Sequence, residues 1–158
     1  MGSPGRALDG VLFDVDDTLV DTMAAFAAAI TAAAPLVQER MVLLGESVGM
    51  LGFLFTADDA LVIEDDARSA LKDTAAPVLD AAVAALGDVD DFTAEPIQAA
   101  LNAAIVEGLG IKPRLAFTPL RVAVSGRRVS PPLFESLELL GRDRSLDRLR
   151  GGLVLSDE

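Results

Sequence analysis

Apolar residues recur at helical spacing along most of this chain. Between residues 36 and 51 the apolar positions 36, 41, 43, 44, 48 and 51 follow a roughly helical period. A clearer stripe occupies residues 74–86, with apolar side chains at 75, 78, 79, 82, 83 and 86 and a glycine at 87. This pattern predicts an amphipathic helix over residues 74–86 that ends at Gly87.

Proline and glycine divide the C-terminal part of the chain into short helices. One helix is predicted to begin after Thr93, a good N-cap residue, and to end at Gly108. Further helices are predicted near 113–124, 131–140 and 143–150, separated by the prolines at positions 113, 119, 131 and 132.

The N-terminal part has a different pattern. Residues 8–13 form a short β-prone run that stops at a cluster of aspartates, and they predict one buried strand. The alanine-rich residues 22–34 predict a helix that ends before Pro35. The expected fold class is therefore mainly α, a multi-helix array with one short strand-like segment at the N-terminus.

Composition excludes several kinds of chemistry. The chain has no cysteine and no histidine, which removes thiolate metal sites, disulfides and the usual general base. Hydrophobic residues make up 51% of the sequence, enough for a buried core. No apolar run approaches the ~20 residues that span a bilayer. We therefore expect a cytoplasmic protein without a membrane partner.

Charge is distributed unevenly along the chain. The formal net charge is -12, yet residues 111–150 hold nine basic side chains against four acidic ones. Residues 1–110 hold four basic side chains against 19 acidic ones. A local positive balance favours contact with phosphate groups, and an ordinary solvated surface is the alternative interpretation.

Two aspartates after the predicted strand carry a first resemblance. The sequence Phe-Asp-Val-Asp-Asp-Thr-Leu at 13–19 resembles the first motif of haloacid dehalogenase-like phosphohydrolases, and the resemblance covers roughly residues 7–30. It implies Asp14 as nucleophile, Asp16 as acid/base, and both as ligands of Mg²⁺. Such enzymes also need a parallel sheet and later motifs in a set order. The candidates at 122–126 and 87–91 occur in the reverse order, so this function is kept as the alternative.

Three blocks of sequence carry a second, longer resemblance. They are APLVQERM at 34–41, GIKPRLAFTPLRVAVSG at 110–126 and VSPPLFESLELLGRDRSLDRL at 129–149. In this order they resemble the C-terminal anticodon-binding region of bacterial glutamyl-tRNA synthetases, over residues 35–150. The resemblance implies a helical cage fold and tRNA(Glu) as the partner, bound through its anticodon loop.

The resemblance also implies a set of RNA-binding residues. Arg121 is expected to contact an anticodon base or phosphate, and a solvent-facing or helix-capping role is its alternative. Lys112 and Arg114 are expected to hold the RNA backbone, and Arg40 to read the last anticodon base. The remaining residues that the resemblance places in the pocket are Thr118, Ser130, Pro131 and Leu133.

The catalytic signatures of those synthetases, a histidine-containing motif and a lysine-serine-lysine loop, do not occur in this sequence. We therefore expect a noncatalytic tRNA-binding module that needs no cofactor and has no DNA partner. The predicted organisation is a phosphohydrolase-like fragment fused at 1–34, a partial helical subdomain at 35–90, a helical anticodon-binding subdomain at 91–150 and a flexible tail at 151–158. An inactive fusion remnant is a third possibility, with self-association through the N-terminal segment.

Overall fold

The computed structural model describes residues 28, 31, 32, 35, 44–72 and 75–156. The chain forms two compact units, Met1–Pro35 and Leu36–Glu158. The described residues of the first unit are helical. The predicted strand at 8–13 lies outside the described residues.

The second unit is built of helices, which confirms the expected mainly α fold. The described part of the chain contains no β-strand. Its α-helices are α1 Leu44–Phe55, α2 Asp65–Arg68, α3 Ala75–Gly87, α4 Ala94–Leu101, α5 Pro113–Ser125, α6 Leu133–Leu140 and α7 Arg142–Ser156. Short 3₁₀ turns at Asp58–Ala60 and Ser69–Leu71 and a π-helical turn at Asn102–Glu107 complete the array. None of the described helices is long and apolar enough to cross a membrane.

Helix α3 is at the centre of the core. Its side chains Val78, Leu79, Ala82 and Leu86 are almost fully buried, as the apolar stripe predicts. The helix packs most extensively on α7 and also contacts α4 and α5. These contacts cross residue 90, and residues Leu36–Glu158 pack as one compact unit. The subdomains at 35–90 and 91–150 stay a prediction, and described helices on either side of residue 90 pack against each other.

Helix α7 is longer than the sequence predicts. It continues through Gly151 and Gly152 to Ser156, so the expected flexible tail is helical over residues 151–156. The close approach of α5 explains the glycine at 152, where an added Cβ would lie 2.8 Å from the Cβ of Ala123. Packing against another helix thus outweighs the poor helix propensity of two consecutive glycines.

The start of α4 is also completed by tertiary contacts. Thr93 is the N-cap residue, as predicted, but its side chain makes no capping hydrogen bond. Instead the backbone N–H of Ala94 donates to Oε2 of Glu138 on α6, at 2.8 Å. The carboxylate satisfies one of the N–H groups that every helix leaves without an intrahelical acceptor.

The turn after α5 positions the loop at 127–132. Gly126 adopts a φ of 76°, in the left-handed region that glycine enters without strain. Its N–H donates to the carbonyl of Val122 at 2.8 Å, and its carbonyl accepts from the N–H of Glu64 at 2.9 Å. Helix α6 then begins at Leu133, with Pro132 as N-cap, slightly later than the sequence predicts.

Candidate nucleic-acid interface

Arg121 holds the loop that connects α5 to α6. Its Nη1 donates to the carbonyl of Ser130 at 3.2 Å, to Oγ of Ser130 at 3.0 Å and to the carbonyl of Pro131 at 2.9 Å. The structure therefore brings together three of the residues that the resemblance placed in one pocket. Because three oxygens converge on one nitrogen, Arg121 determines where the loop lies relative to α5.

Four side chains of α5 form a stripe beside this contact. Arg114, Phe117, Thr118 and Arg121 occur at positions i, i+3, i+4 and i+7 of the helix and therefore share a face. Oγ1 of Thr118 donates to the carbonyl of Arg114 at 2.6 Å. Together with Pro113 the stripe lines a shallow pocket of about 330 Å³, whose described lining contains two arginines and no acidic residue.

Phe117 is a pocket residue that the sequence reasoning missed. Its ring packs edge-on against Phe134 of α6, with centroids 5.4 Å apart and an angle of 88° between the rings. Phe117 remains partly exposed beside Arg114. Its helical spacing from Arg114 and Arg121 was the available signal, since residues three and four positions apart share a helix face.

The other predicted contact residues differ in accessibility. Lys112, at the N-cap of α5, and Arg114 are exposed, and Thr118 is partly exposed. Ser130 and Leu133 are only 3% and 4% exposed. Ser130 and Leu133 therefore belong to the buried interior next to the site and present almost no surface to a ligand. Arg40 lies outside the described residues, as do Asp14 and Asp16.

One of the basic side chains in residues 111–150 caps a neighbouring helix. The guanidinium of Arg142 donates to the carbonyl oxygens of Gly87, Val89 and Asp90, just after the end of α3. It also lies over the ring of Phe92, 5.4 Å from the centroid. A cation at the C-terminus of a helix compensates the carbonyl dipoles, so Arg142 stabilises the fold.

Two more arginines join α7 to the end of α1. The Arg148 side chain is fully buried, and its Nε contacts Oδ1 of Asp58 at 2.6 Å. Its Nη atoms donate to carbonyls of Val124, Phe53 and Thr56 at 2.7 to 2.9 Å. Arg144 reaches the same carboxylate at 3.1 Å. Both arginines are therefore part of the framework.

Within this network the pKa values of Asp58 and Arg148 are both lowered. Burial alone would raise the pKa of Asp58, but the hydrogen bonds and positive charges of Arg144 and Arg148 outweigh it, so the pKa lies below its ordinary value. Burial lowers the pKa of Arg148, and the Asp58 carboxylate partly counteracts this effect.

The positive charge of residues 111–150 is thus much more localised than the sequence indicates. Arg127 pairs with Glu64 at 2.8 Å and Arg150 with Asp147 at 3.1 Å, besides the three arginines of the framework. The exposed basic side chains near the pocket are Lys112, Arg114 and Arg128. The local positive surface therefore surrounds the N-terminal half of α5.

A family model described as an anticodon binding domain matches residues 18–153. The chain belongs to this anticodon-binding domain family. A glutamate–tRNA ligase from Kocuria rhizophila is 68% identical over 117 residues, 74% of this chain and 23% of the ligase. The ligase from Kineococcus radiotolerans is 64% identical over 121 residues, 77% of the chain and 24% of the ligase. That of Mycobacterium tuberculosis is 54% identical over 128 residues, 81% of the chain and 26% of the ligase.

The anticodon-binding domain thus spans about a quarter of the length of the curated relatives it matches. The family match confirms the resemblance of residues 35–150. It also begins at residue 18, inside the segment interpreted as a phosphohydrolase-like fragment. The comparisons give no support to that fragment or to a fusion. In the described ranges, no group of three or more acidic residues is placed to hold a metal ion.

Proposed function

We propose that this anticodon-binding domain binds the anticodon loop of tRNA(Glu) and catalyses no reaction of its own. Support comes from the family and from relatives that are glutamate–tRNA ligases. The observation that carries the proposal is the pocket on α5, which Arg114, Phe117 and Arg121 line without an acidic residue among those described. A cytoplasmic location is part of the same proposal.

The pocket has the three kinds of group that single-stranded RNA recognition uses. Unstacked bases are typically held against aromatic rings, and Phe117 presents a partly exposed ring. Phosphates are bound by exposed cations, here Lys112 and Arg114. Base edges need fixed donors and acceptors, and the side chains of Thr118 and Arg121, both partly exposed, line the pocket with polar groups of this kind.

Arg121 has a positioning role in this proposal. Its three hydrogen bonds to the loop keep the backbone groups of Ser130 and Pro131 in one arrangement before RNA arrives. A preorganised loop loses less conformational entropy on binding. Lysine at 121 would keep the charge but lose the planar geometry of the guanidinium.

Fluorescence anisotropy with a labelled tRNA(Glu) anticodon stem-loop tests the proposal. The full chain is titrated at several salt concentrations between roughly 50 and 200 mM, where affinity should fall steeply as salt rises. A stem-loop with an altered anticodon should bind more weakly. Equal affinity for tRNA and an uncharged polymer, insensitive to salt, would contradict the proposal.

Two variants locate the binding site. Arg114→Gln removes an exposed charge from the pocket and should weaken binding roughly three- to tenfold, because the net contribution of one typical hydrogen bond is about 0.5 to 1.5 kcal/mol. Arg150→Gln removes an exposed charge that pairs with Asp147 and does not line the pocket on α5. It is the matched control and should bind as the parent does. Equal loss in both variants would show nonspecific attraction.

A further inference from the structure

A second concavity lies beside the pocket on α5. It has a volume of about 920 Å³, within the range of ligand sites. One wall comes from the 3₁₀ turn Ser69–Leu71 and the residue after it, and the other from the start of α5. We call it the basic groove. Its lining includes Lys72, Lys112, Arg114, Leu115, Thr118 and Arg128.

The basic groove concentrates positive charge in an acidic protein. Four of its lining residues, Lys72, Lys112, Arg114 and Arg128, are basic and exposed. The described lining contains no acidic side chain, although the formal net charge of the chain is -12. Charges of one sign that line a concave surface focus the electrostatic potential there. An anionic ligand is therefore favoured in this groove.

Arg128 is held in place at the groove. Its Nε donates to the carbonyl of Asp66 at 2.7 Å, and its Nη2 donates to Oγ of Ser69 at 2.5 Å. Within the described ranges its Nη1 makes no hydrogen bond. The guanidinium is thus fixed by one edge, which lowers the entropy lost when Nη1 binds an anion.

The start of α5 adds a backbone donor on the opposite wall. Pro113 is the first residue of the helix and has no N–H, so the N–H of Arg114 is the first one without an intrahelical acceptor. The positive end of the helix dipole lies at the same place. Side-chain and backbone donors therefore occur together where Arg114 meets the groove.

The floor of the groove is apolar. Val78 and Pro119 are buried beneath it, and Leu115 presents a side chain that is 65% exposed. A row of cations beside an exposed apolar side chain suits a ligand that alternates charged groups with flat or apolar ones. The backbone of an RNA strand, with phosphates on one side and ribose and base on the other, has this character.

We infer that the basic groove binds the sugar-phosphate backbone of the nucleotides next to those held in the pocket on α5, and that Lys72 and Arg128 contact its phosphates. The pocket and the groove share Arg114 and Thr118, so one continuous strand can occupy both. The inference rests on the proposed function, and it adds a wall from residues 69–72 to the interface.

The test uses the tRNA(Glu) anticodon stem-loop with the full-length chain and its variants Lys72→Gln and Arg128→Gln. Each variant should weaken binding roughly three- to tenfold and reduce the slope of log affinity against log salt by about 0.7 to 0.9, the value for one phosphate contact. Phosphate ethylation interference should identify a phosphate whose ethylation weakens binding to the parent but not to the variant. Arg150→Gln is the control that keeps the parental pattern.

Arg128→Gln could weaken binding by destabilising the turn at Ser69, because Arg128 donates a hydrogen bond to that residue. Lys72 is exposed, so Lys72→Gln tests the groove without this effect on folding. Parental affinity, salt slope and ethylation pattern in both variants, with weakened binding in Arg114→Gln, would overturn the groove and leave the proposed function standing. A parent chain that shows no salt-dependent binding of the stem-loop would overturn both.

Discussion

The pairing of Asp58 with Arg148 leads to a quantitative prediction about stability. In Asp58→Ala the Arg148 guanidinium keeps its three carbonyl acceptors but loses its counter-charge while its side chain stays fully buried. Removing one partner of a buried ion pair costs about 3 to 5 kcal/mol. Because Asp58 itself is 30% exposed, we expect the lower end, about 3 kcal/mol.

Urea denaturation followed by circular dichroism measures this loss, and thermal melting should show a Tm lower by roughly 10 °C. Asp58→Asn keeps an oxygen acceptor for Nε of Arg148 and should lose about 1 to 2 kcal/mol. The matched control is Asp147→Asn. This exposed aspartate pairs with Arg150 at 3.1 Å and should change stability by less than about 1 kcal/mol.

The lowered pKa of Asp58 determines the direction of the pH dependence. A carboxylate whose pKa is lower in the folded state stabilises the fold above its unfolded pKa, about 3.9 for aspartate. This contribution disappears as the pH falls through the folded pKa. The stability difference between the parent and Asp58→Asn should therefore shrink below about pH 4. Equal stability of parent and Asp58→Ala at neutral pH, or a constant difference in acid, would refute the reasoning.

Two further predictions concern packing and RNA contact. Gly152→Ala places a Cβ 2.8 Å from the Cβ of Ala123 and should destabilise the fold by about 1 kcal/mol, after the gain in helix propensity is included. Gly151→Ala, with nothing within 4 Å of the added Cβ, should stabilise the fold by about 0.8 to 1 kcal/mol. Urea denaturation measures both changes in the free energy of unfolding, and changes of the same sign would contradict the close contact between α5 and α7. Phe117→Ala should weaken stem-loop binding by about 1 to 3 kcal/mol in anisotropy titrations, and Phe117→Tyr should restore most of it; unchanged binding of the alanine variant would exclude stacking on this ring.

Much of the helical fold could be predicted from local signals. Proline and glycine punctuation gave predicted helices at 74–86, 113–124 and 131–140, and the structure has α3 at Ala75–Gly87, α5 at Pro113–Ser125 and α6 at Leu133–Leu140. These helix boundaries depend on proline and glycine, whose backbone conformations are unusual. They can therefore be predicted without knowing which helices pack against each other.

The candidate site could be predicted only in part. The resemblance named Arg121, Ser130 and Pro131 together, and the structure joins them by hydrogen bonds. It did not point to Phe117, Lys72 or Arg128, because what makes them candidates is their position around two concavities rather than a local pattern. Direct RNA contact by any of these residues stays a prediction.

The sequence by itself determined that this chain is a helical anticodon-binding domain, since helix periodicity, breaker residues and long family-specific blocks are all properties of consecutive residues. Only the tertiary structure decided which arginines serve the fold and which face outward. Arg142, Arg144 and Arg148 have the same chemistry as the exposed Arg114, but their guanidinium groups bond to carbonyls or carboxylates that are distant in the sequence. The same holds for Gly152, where the approach of Ala123 explains a helix that its own residues would end.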